Sequence, residues 1–218
     1  MMKDVKQCFK LLKYGYQLKT NMGCACGFVL LGILFVTRHF EGFLIGTAYI
    51  YLGVMFATQP MYMLLFSECV QASPRREKVE IRYVDILNVI TGAVGSVIVI
   101  IVALLAQNKG MEEISAQALL VIGGIMAFLL YCYLSTGFKS MVVGSLLLGG
   151  SFWIIGMFLA FFGELLSHIL GENMLLAVLI FLLENVLGIV CAHGIRKLLY
   201  RKSMSKLAMG AKLRMELS

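Results

Sequence analysis

One carboxylate of this chain lies inside an apolar run, where charge is rare. Glu184, followed directly by Asn185, stands in the middle of residues 174–195. A carboxylate at membrane depth is costly unless it faces a polar cavity or a partner group. Glu184 therefore lines a transport path or binds a cationic group of a substrate, or else it is protonated and hydrogen-bonds a neighbouring helix. Gly188, one turn later, offers a surface where another helix approaches closely, and the sequence leaves these functions open.

Two other groups of residues have side chains that bind metals. Glu164, His168 and Glu172 recur at a spacing of one helical turn, but a solvent-exposed helical face is the commoner reason for such a pattern. Cys24 and Cys26 are the only close pair among the six cysteines, and no C-x-x-C pair occurs. We therefore expect no metal site in this chain.

A third group is the charged stretch 71–83, which separates two long apolar runs. Ser73 suits the N-cap of a helix, and Pro74 suits the first helical position, where the missing N–H costs nothing. Val79 and Tyr83 lie one turn apart and form an apolar face. The stretch predicts a short helix over 73–83, lying under the membrane, with a simple charged turn as the alternative.

Composition shows which elements must position these residues. The chain has 218 residues, of which 60% are hydrophobic and 14% charged, and its mean hydropathy is +0.89. Soluble domains have about 45–50% apolar and about 25% charged residues, so this is a membrane protein. We predict an all-α fold, because only two prolines occur and no alternating strand pattern is present. The apolar runs predict six transmembrane helices, at 22–37, 43–66, 86–107, 117–138, 140–162 and 174–195.

The basic residues orient these helices. If the N-terminus is cytoplasmic, every Lys and Arg except Arg38 and Lys109 falls on the cytoplasmic side, so both termini are predicted inside. This placement in a cell membrane accounts for the net charge of +7 without nucleic acid as a partner. Residues 1–21 form an amphipathic elbow helix with an apolar face and an opposite basic face. The apolar face comprises Val5, Cys8, Phe9, Leu12 and Tyr16, and the basic face comprises Lys3, Lys6, Lys10 and Lys13.

The predicted organisation has three parts. The elbow at 1–21 is followed by a transmembrane domain at 22–195, which includes a cytoplasmic loop at 67–85 and an outer, re-entrant-like segment at 163–173. A basic cytoplasmic tail covers 196–218.

This order of parts resembles the permease subunits of type-two ABC exporters. In that family the loop after the second span carries a small residue, Pro, Arg, Arg and Glu, and it forms the coupling helix that docks on the ATPase. The stretch from Ala72 to Glu77, which reads Ala-Ser-Pro-Arg-Arg-Glu, is similar to that motif, and Tyr200 begins a basic tail. The similarity covers the whole chain as topology but only about a dozen residues as a motif.

The resemblance implies a transport subunit rather than an enzyme. The motif Gly-x-x-x-x-Gly-Lys-Ser/Thr is absent, so no cofactor is expected in this chain, and ATP and Mg²⁺ would bind a partner ATPase. The other implied partners are a second permease copy or a related permease, and the lipid bilayer. The exported substrate we favour is a peptide or an antimicrobial compound. The residues implied in ATPase coupling are Ser73, Pro74, Arg75, Arg76, Glu77, Val79 and Tyr83.

Three other functions remain open. An intramembrane peptidase would need a Cys and His pair, or a Glu and His pair, on facing helices. A six-span substrate-capture subunit would couple through another membrane subunit, and an immunity protein would need no coupling helix at all. Direct association with an ATPase separates all three from the exporter.

Overall fold

The computed structural model describes residues 2–15, 17–38, 43–65, 67–108 and 173–201, with isolated positions between 116 and 157. Every regular element within these residues is helical. The helices are α1 (Met2–Leu12), α2 (Leu18–Arg38), α3 (Phe43–Leu65), the short α4 (Glu68–Gln71), α5 (Val84–Gln107) and α6 (Met174–Leu199). A π-helical segment, Lys78–Tyr83, precedes α5 directly.

Four of the described helices are long and apolar enough to cross a membrane. They cover Leu18–Val36, Ile45–Leu65, Lys78–Gln107 and Met174–Leu199. An all-α membrane protein is thereby confirmed, and these helices correspond to the predicted spans one, two, three and six. The predicted spans at 117–138 and 140–162 lie outside the described residues except for isolated positions. The outer segment 163–172 and the tail after 201 lie outside them as well.

Helices α2 and α3 form a hairpin whose backbones touch. A Cβ atom added at Gly32 would lie 2.4 Å from the carbonyl oxygen of Gly46, and one added at Gly46 would lie 2.6 Å from that of Gly32. Glycine is required at both positions, because any side chain would push the two helices apart. Further along, Gly53 meets the carbonyl oxygen of Ala25 in the same way, with a distance of 2.8 Å from the added Cβ.

The core lies among α3, α5 and α6. Tyr51 of α3 packs edge-on against Phe181 of α6, with ring centroids 6.4 Å apart. Gly95 lets α5 approach Val54 of α3, and Gly92 of α5 lies close to Ile189 of α6. Helices α5 and α6 run antiparallel, because the early part of α5 meets the late part of α6.

Helix α1 packs on the end of this bundle that is predicted to be cytoplasmic. Cys8 and Leu12 are buried with Met61, Leu65 and Tyr83, as the predicted apolar face requires. The basic residues Lys3, Lys6, Lys10 and Lys13 are all exposed. Phe9 differs from the prediction, since it is 45% exposed at the edge of that face.

The charged stretch differs from its prediction in one respect. It is helical from Arg76, but instead of forming a separate helix it continues through the π-helical segment into α5. No glycine or proline lies between Arg76 and Val84, so the sequence provides no signal that would end the helix there. One continuous helical rod therefore runs from residue 76 to residue 107.

Candidate functional site

The beginning of this rod is a turn with an exposed edge. The Ser73 hydroxyl accepts a hydrogen bond from the backbone N–H of Arg75 at 3.1 Å, and the Arg76 N–H donates to the carbonyl oxygen of Ser73 at 3.0 Å. Pro74, Arg75 and Glu77 are exposed. Ser73 thus stabilises the start of the helix as an N-cap would, and the next residues face solvent.

Arg76 lies on the inner side of the same turn. Its Nε donates to Oε1 of Glu80 at 2.9 Å, and its guanidinium lies over the ring of Tyr200, 5.3 Å from the centroid. Arg76, which is predicted to contact an ATPase, is thus already paired with Glu80 within the chain, and its coupling role stays a prediction.

Glu80 is the centre of a buried ion cluster. Its carboxylate also accepts from Nε2 of Gln71 at 2.8 Å and pairs with Nζ of Lys139 at 3.2 Å. Glu80 is 2% exposed and Lys139 is 5% exposed. Burial lowers the pKa of Lys139, although the neighbouring Glu80 opposes this shift. The cluster joins the rod to the predicted loop between spans four and five.

The apolar face of the rod is covered by α1. Val79 and Tyr83 are 7% and 4% exposed, and the Tyr83 hydroxyl donates to Oε1 of Gln7 at 2.6 Å. The thiol of Cys8 lies 3.4 Å from the carbonyl oxygen of Tyr83, and burial raises its pKa to about 11. Helix α1 thus covers the face that Val79 and Tyr83 are predicted to present to a partner ATPase, and that coupling role stays a prediction.

Asp4 holds the outer side of the rod to α1. Its carboxylate pairs with Lys78 at 2.7 Å and with Arg82 at 2.7 Å. The hydrogen bond from Lys78, helped by the charge of Arg82, lowers the pKa of Asp4. The elbow is thus fixed to the rod by ion pairs as well as by apolar packing.

An open groove remains beside the exposed turn. Its volume is ≈ 470 Å³, and it lies between the beginning of the rod and the last turns of α6. The lining residues are mostly basic, with Glu77 as the one acid among them: Pro74, Arg75, Glu77, Lys78, Ile81, Arg82, His193 and Lys197.

A second charged cluster closes the end of the α5–α6 pair. Asp85 of α5 forms an ion pair with Nη2 of Arg196, and its other oxygen lies 2.6 Å from Nδ1 of His193. Arg196, only 3% exposed, also donates to the Ser135 hydroxyl at 2.6 Å. Neither this cluster nor the cluster around Glu80 was predicted from the sequence. In each case the sequence shows a charged residue next to an apolar run, but this pattern does not identify the residue that pairs with it.

The predicted intramembrane residues of α6 differ in burial. Asn185 is 5% exposed and Gly188 is also buried. Glu184 is half-buried, and its Oε2 atom has no hydrogen-bond partner among the residues that the structure describes. The Tyr51 hydroxyl lies near Asn185 and Ser96, without forming a hydrogen bond of normal geometry.

Within the described ranges, no group of three or more His, Cys, Asp or Glu side chains is arranged to hold a metal ion. Glu164, His168 and Glu172 lie outside those ranges. Cys24, Cys26 and Cys69 are exposed, whereas Cys8 and Cys132 are buried.

Comparison with known proteins gives no relative. No protein-family model, no curated protein and no solved structure matches this chain.

Proposed function

We propose that this chain is the permease subunit of an ATP-driven exporter of the type-two ABC class. In this proposal a separate ATPase docks on the exposed turn at 73–77 and on the basic groove beside it. The protein would work as a dimer, or with a related permease, in the cell membrane with both termini in the cytoplasm. Peptides or antimicrobial compounds are the substrates we favour.

One observation carries the proposal: the exposed turn begins a helical rod that continues as α5, a helix long and apolar enough to cross a membrane. A displacement of Arg75 or Glu77 would be transmitted directly to α5, because no loop separates these residues from that helix. The Glu80 cluster and the Asp4 pairs fix the same rod to Lys139 and to α1, so these elements would move with it. Such a rod suits the transmission of motion from an ATPase to a membrane bundle.

The charge of the exposed face supports the same function. Arg75 and Lys197 line the groove, whereas Arg76 is already paired with Glu80 and Arg82 with Asp4. An acidic surface on the ATPase would complement them, and charges at an interface rim mainly determine association rate and partner choice.

The test is co-purification of the tagged full-length chain from its native membranes in mild detergent. We expect a stoichiometric protein carrying Gly-x-x-x-x-Gly-Lys-Ser/Thr, identified by mass spectrometry. The double variant Arg75→Glu and Glu77→Lys should lose it, because both side chains are exposed at the proposed docking surface. The control is Lys13→Glu, which reverses an exposed charge directly after α1, and it should retain the ATPase.

Each other outcome has a definite meaning. Absence of an ATPase from the native sample contradicts the exporter proposal as a whole. Equal recovery with the double variant contradicts the docking surface but leaves a permease function in place.

A further inference from the structure

The interface of α3, α5 and α6 contains a line of polar groups, here called the polar stripe, which begins at the partly exposed Asp85 and continues with buried residues. On α5 the stripe follows the helical face of Asp85, Asn88 and Ser96, and Gly92 on the same face leaves room for the Tyr131 hydroxyl. At 1.5 Å per residue, the distance from Asp85 to Ser96 is about 16 Å, or about half of the ~30 Å hydrocarbon core. The stripe therefore leads from the predicted cytoplasmic surface to the middle of the membrane.

The lower half of the stripe is joined by hydrogen bonds. Nδ2 of Asn88 donates to the Tyr62 hydroxyl at 3.2 Å, and Nη1 of Arg196 lies 3.5 Å from the same hydroxyl. Arg196 in turn pairs with Asp85, which contacts the 47%-exposed side chain of His193. One connected chain thus runs from solvent at His193 to Asn88 inside the bundle.

The upper half contains polar atoms that lack partners. Oδ1 of Asn88, the hydroxyls of Tyr51 and Tyr131, and Oδ1 of Asn185 are all buried, with no hydrogen-bond partner among the described residues. All four residues are at most 5% exposed. The Tyr131 hydroxyl points at Gly92, since a Cβ added there would lie only 2.2 Å from it.

Buried polar atoms without a hydrogen-bond partner are rare in membrane proteins, because leaving each one unpaired in hydrocarbon costs several kcal/mol of free energy. Their chemistry indicates what satisfies them. Two amide oxygens need donors, and two phenol hydroxyls can both donate and accept. Water provides donors and acceptors together, and buried water typically makes about three such bonds.

We propose that the polar stripe holds a file of ordered water that carries protons between the cytoplasmic surface and Glu184. Glu184 is the end point because it adjoins Asn185 on α6 and lies near Tyr51, and its buried Oε2 lacks a partner among the described residues. Ionisable groups inside membranes are characteristic of proton relays. In each step one water or hydroxyl gives up a proton and receives another, so the file itself is unchanged.

Several titratable groups adjoin this path. They are Tyr51 and Tyr62 on α3, Asp85 on α5, Tyr131, and His193 and Arg196 on α6, with the Cys132 and Cys191 thiols near Arg196. The Asp85–Arg196 pair lies at the mouth and would restrict entry of other cations, as a fixed arginine does in narrow pores. This inference goes beyond the proposed function, because it needs no ATPase.

The first experiment detects the water. The full chain in lipid nanodiscs is exposed to an X-ray pulse in ¹⁸O water, and oxidised residues are identified by mass spectrometry. Radicals formed from bound water oxidise only adjacent side chains, so Tyr51 and Tyr131 should be labelled although each is 1% exposed. Tyr49 is the matched control on α3, since it stacks on Phe28 and Phe35 instead. Labelling of Tyr51 and Tyr131 no greater than that of Tyr49 would overturn the proposal.

A variant pair shows whether the stripe carries that water. Asn88→Leu replaces a buried amide by an apolar group of similar size and should reduce Tyr51 labelling to the level of Tyr49. Val89→Leu, at the next position of α5, is 50% exposed on the outer face and should leave labelling unchanged. Equal labelling in both variants would show that the water enters elsewhere.

The second experiment detects the protons. Dicyclohexylcarbodiimide modifies protonated carboxyl groups in membranes, and the Glu184 adduct is quantified in oriented vesicles, with Glu184→Gln as the blank. We expect the adduct to increase when the pH is lowered on the side of α1 alone, and this response to be lost in Asn88→Leu. If the amount of Glu184 adduct does not change with that pH, the proposed proton delivery is wrong, even where the first experiment detects the water.

Discussion

The charged side chains at the helix ends and the neutral polar side chains inside the bundle differ in whether they have partners. At the end near α1, Asp4, Glu80 and Asp85 each pair with at least one cation of this chain. Between α3, α5 and α6, neutral polar atoms such as the Tyr51 hydroxyl and Oδ1 of Asn185 lack a partner among the described residues. Both regions are buried, so burial alone does not explain the difference.

The difference indicates which polar groups stabilise the fold. A buried charge must be compensated, and removal of one partner leaves the other unpaired at high cost. A neutral amide in a bundle contributes little, with measured interhelical hydrogen bonds averaging about 0.6 kcal/mol. The ion clusters therefore hold the rod, α1 and α6 together, whereas the polar stripe contributes little to the stability of the bundle.

The largest expected effect comes from breaking the Glu80 cluster. Glu80→Met removes the buried carboxylate with which Lys139 and Arg76 pair, and the free energy of unfolding should fall by about 3–5 kcal/mol. Denaturation of the purified chain in mixed micelles measures this loss. The control Glu77→Gln removes a carboxylate from the exposed turn and should change stability by less than about 0.5 kcal/mol. Equal stability of the two variants would show that Glu80 and Lys139 are not paired in solution.

A smaller effect is expected at Asp4, and it depends on pH. Because the pKa of Asp4 is lowered in the fold, its pairing stabilises α1 fully above its ordinary value of 3.8 and is lost as the pH falls through the lowered value. Hydrogen exchange of the α1 amides, corrected for the intrinsic rate, should therefore increase over this acid range. Asp4→Asn should show the faster exchange at neutral pH already, without the acid transition. Retained protection in that variant would mean that apolar packing alone holds α1.

The smallest effect is expected in the polar stripe. Asn88→Leu loses one hydrogen bond to Tyr62 and removes an unpartnered oxygen, so stability should change by less than about 1 kcal/mol. The same denaturation assay measures it beside Glu80→Met. A loss as large as that of Glu80→Met would remove the contrast between the two regions and make Asn88 a structural residue.

Local features of the sequence predicted the elements well. Apolar length identified four helices that the structure contains, and a period of 3.6 residues identified Cys8 and Leu12 as the buried side of α1. Both properties are determined by neighbours in the sequence, so they are visible without a fold. The separate helix under the membrane was not found, because Ser73 and Pro74 mark where a helix starts and give no information on where it ends.

Contacts between distant residues were not predictable in this way. Val79 and Tyr83 were correctly recognised as one apolar face, but nothing in the sequence distinguished a partner protein from α1 as its cover. Lys139 and Arg196 appeared as ordinary cytoplasmic cations, since their partners Glu80 and Asp85 lie far away in the chain. The coupling role of 73–83 therefore stays a prediction, and only the structure distinguishes its exposed residues from its buried ones.

The backbone contact between Gly32 and Gly46 has a consequence for the order of events during synthesis. These residues are near neighbours in the sequence, so the α2–α3 pair can close as soon as both helices have entered the membrane. Asp85, in contrast, must wait for Arg196, which the ribosome adds 111 residues later. Helix α6 thus completes the bundle, and a nascent chain halted before it would carry Asp85 without Arg196 to neutralise it.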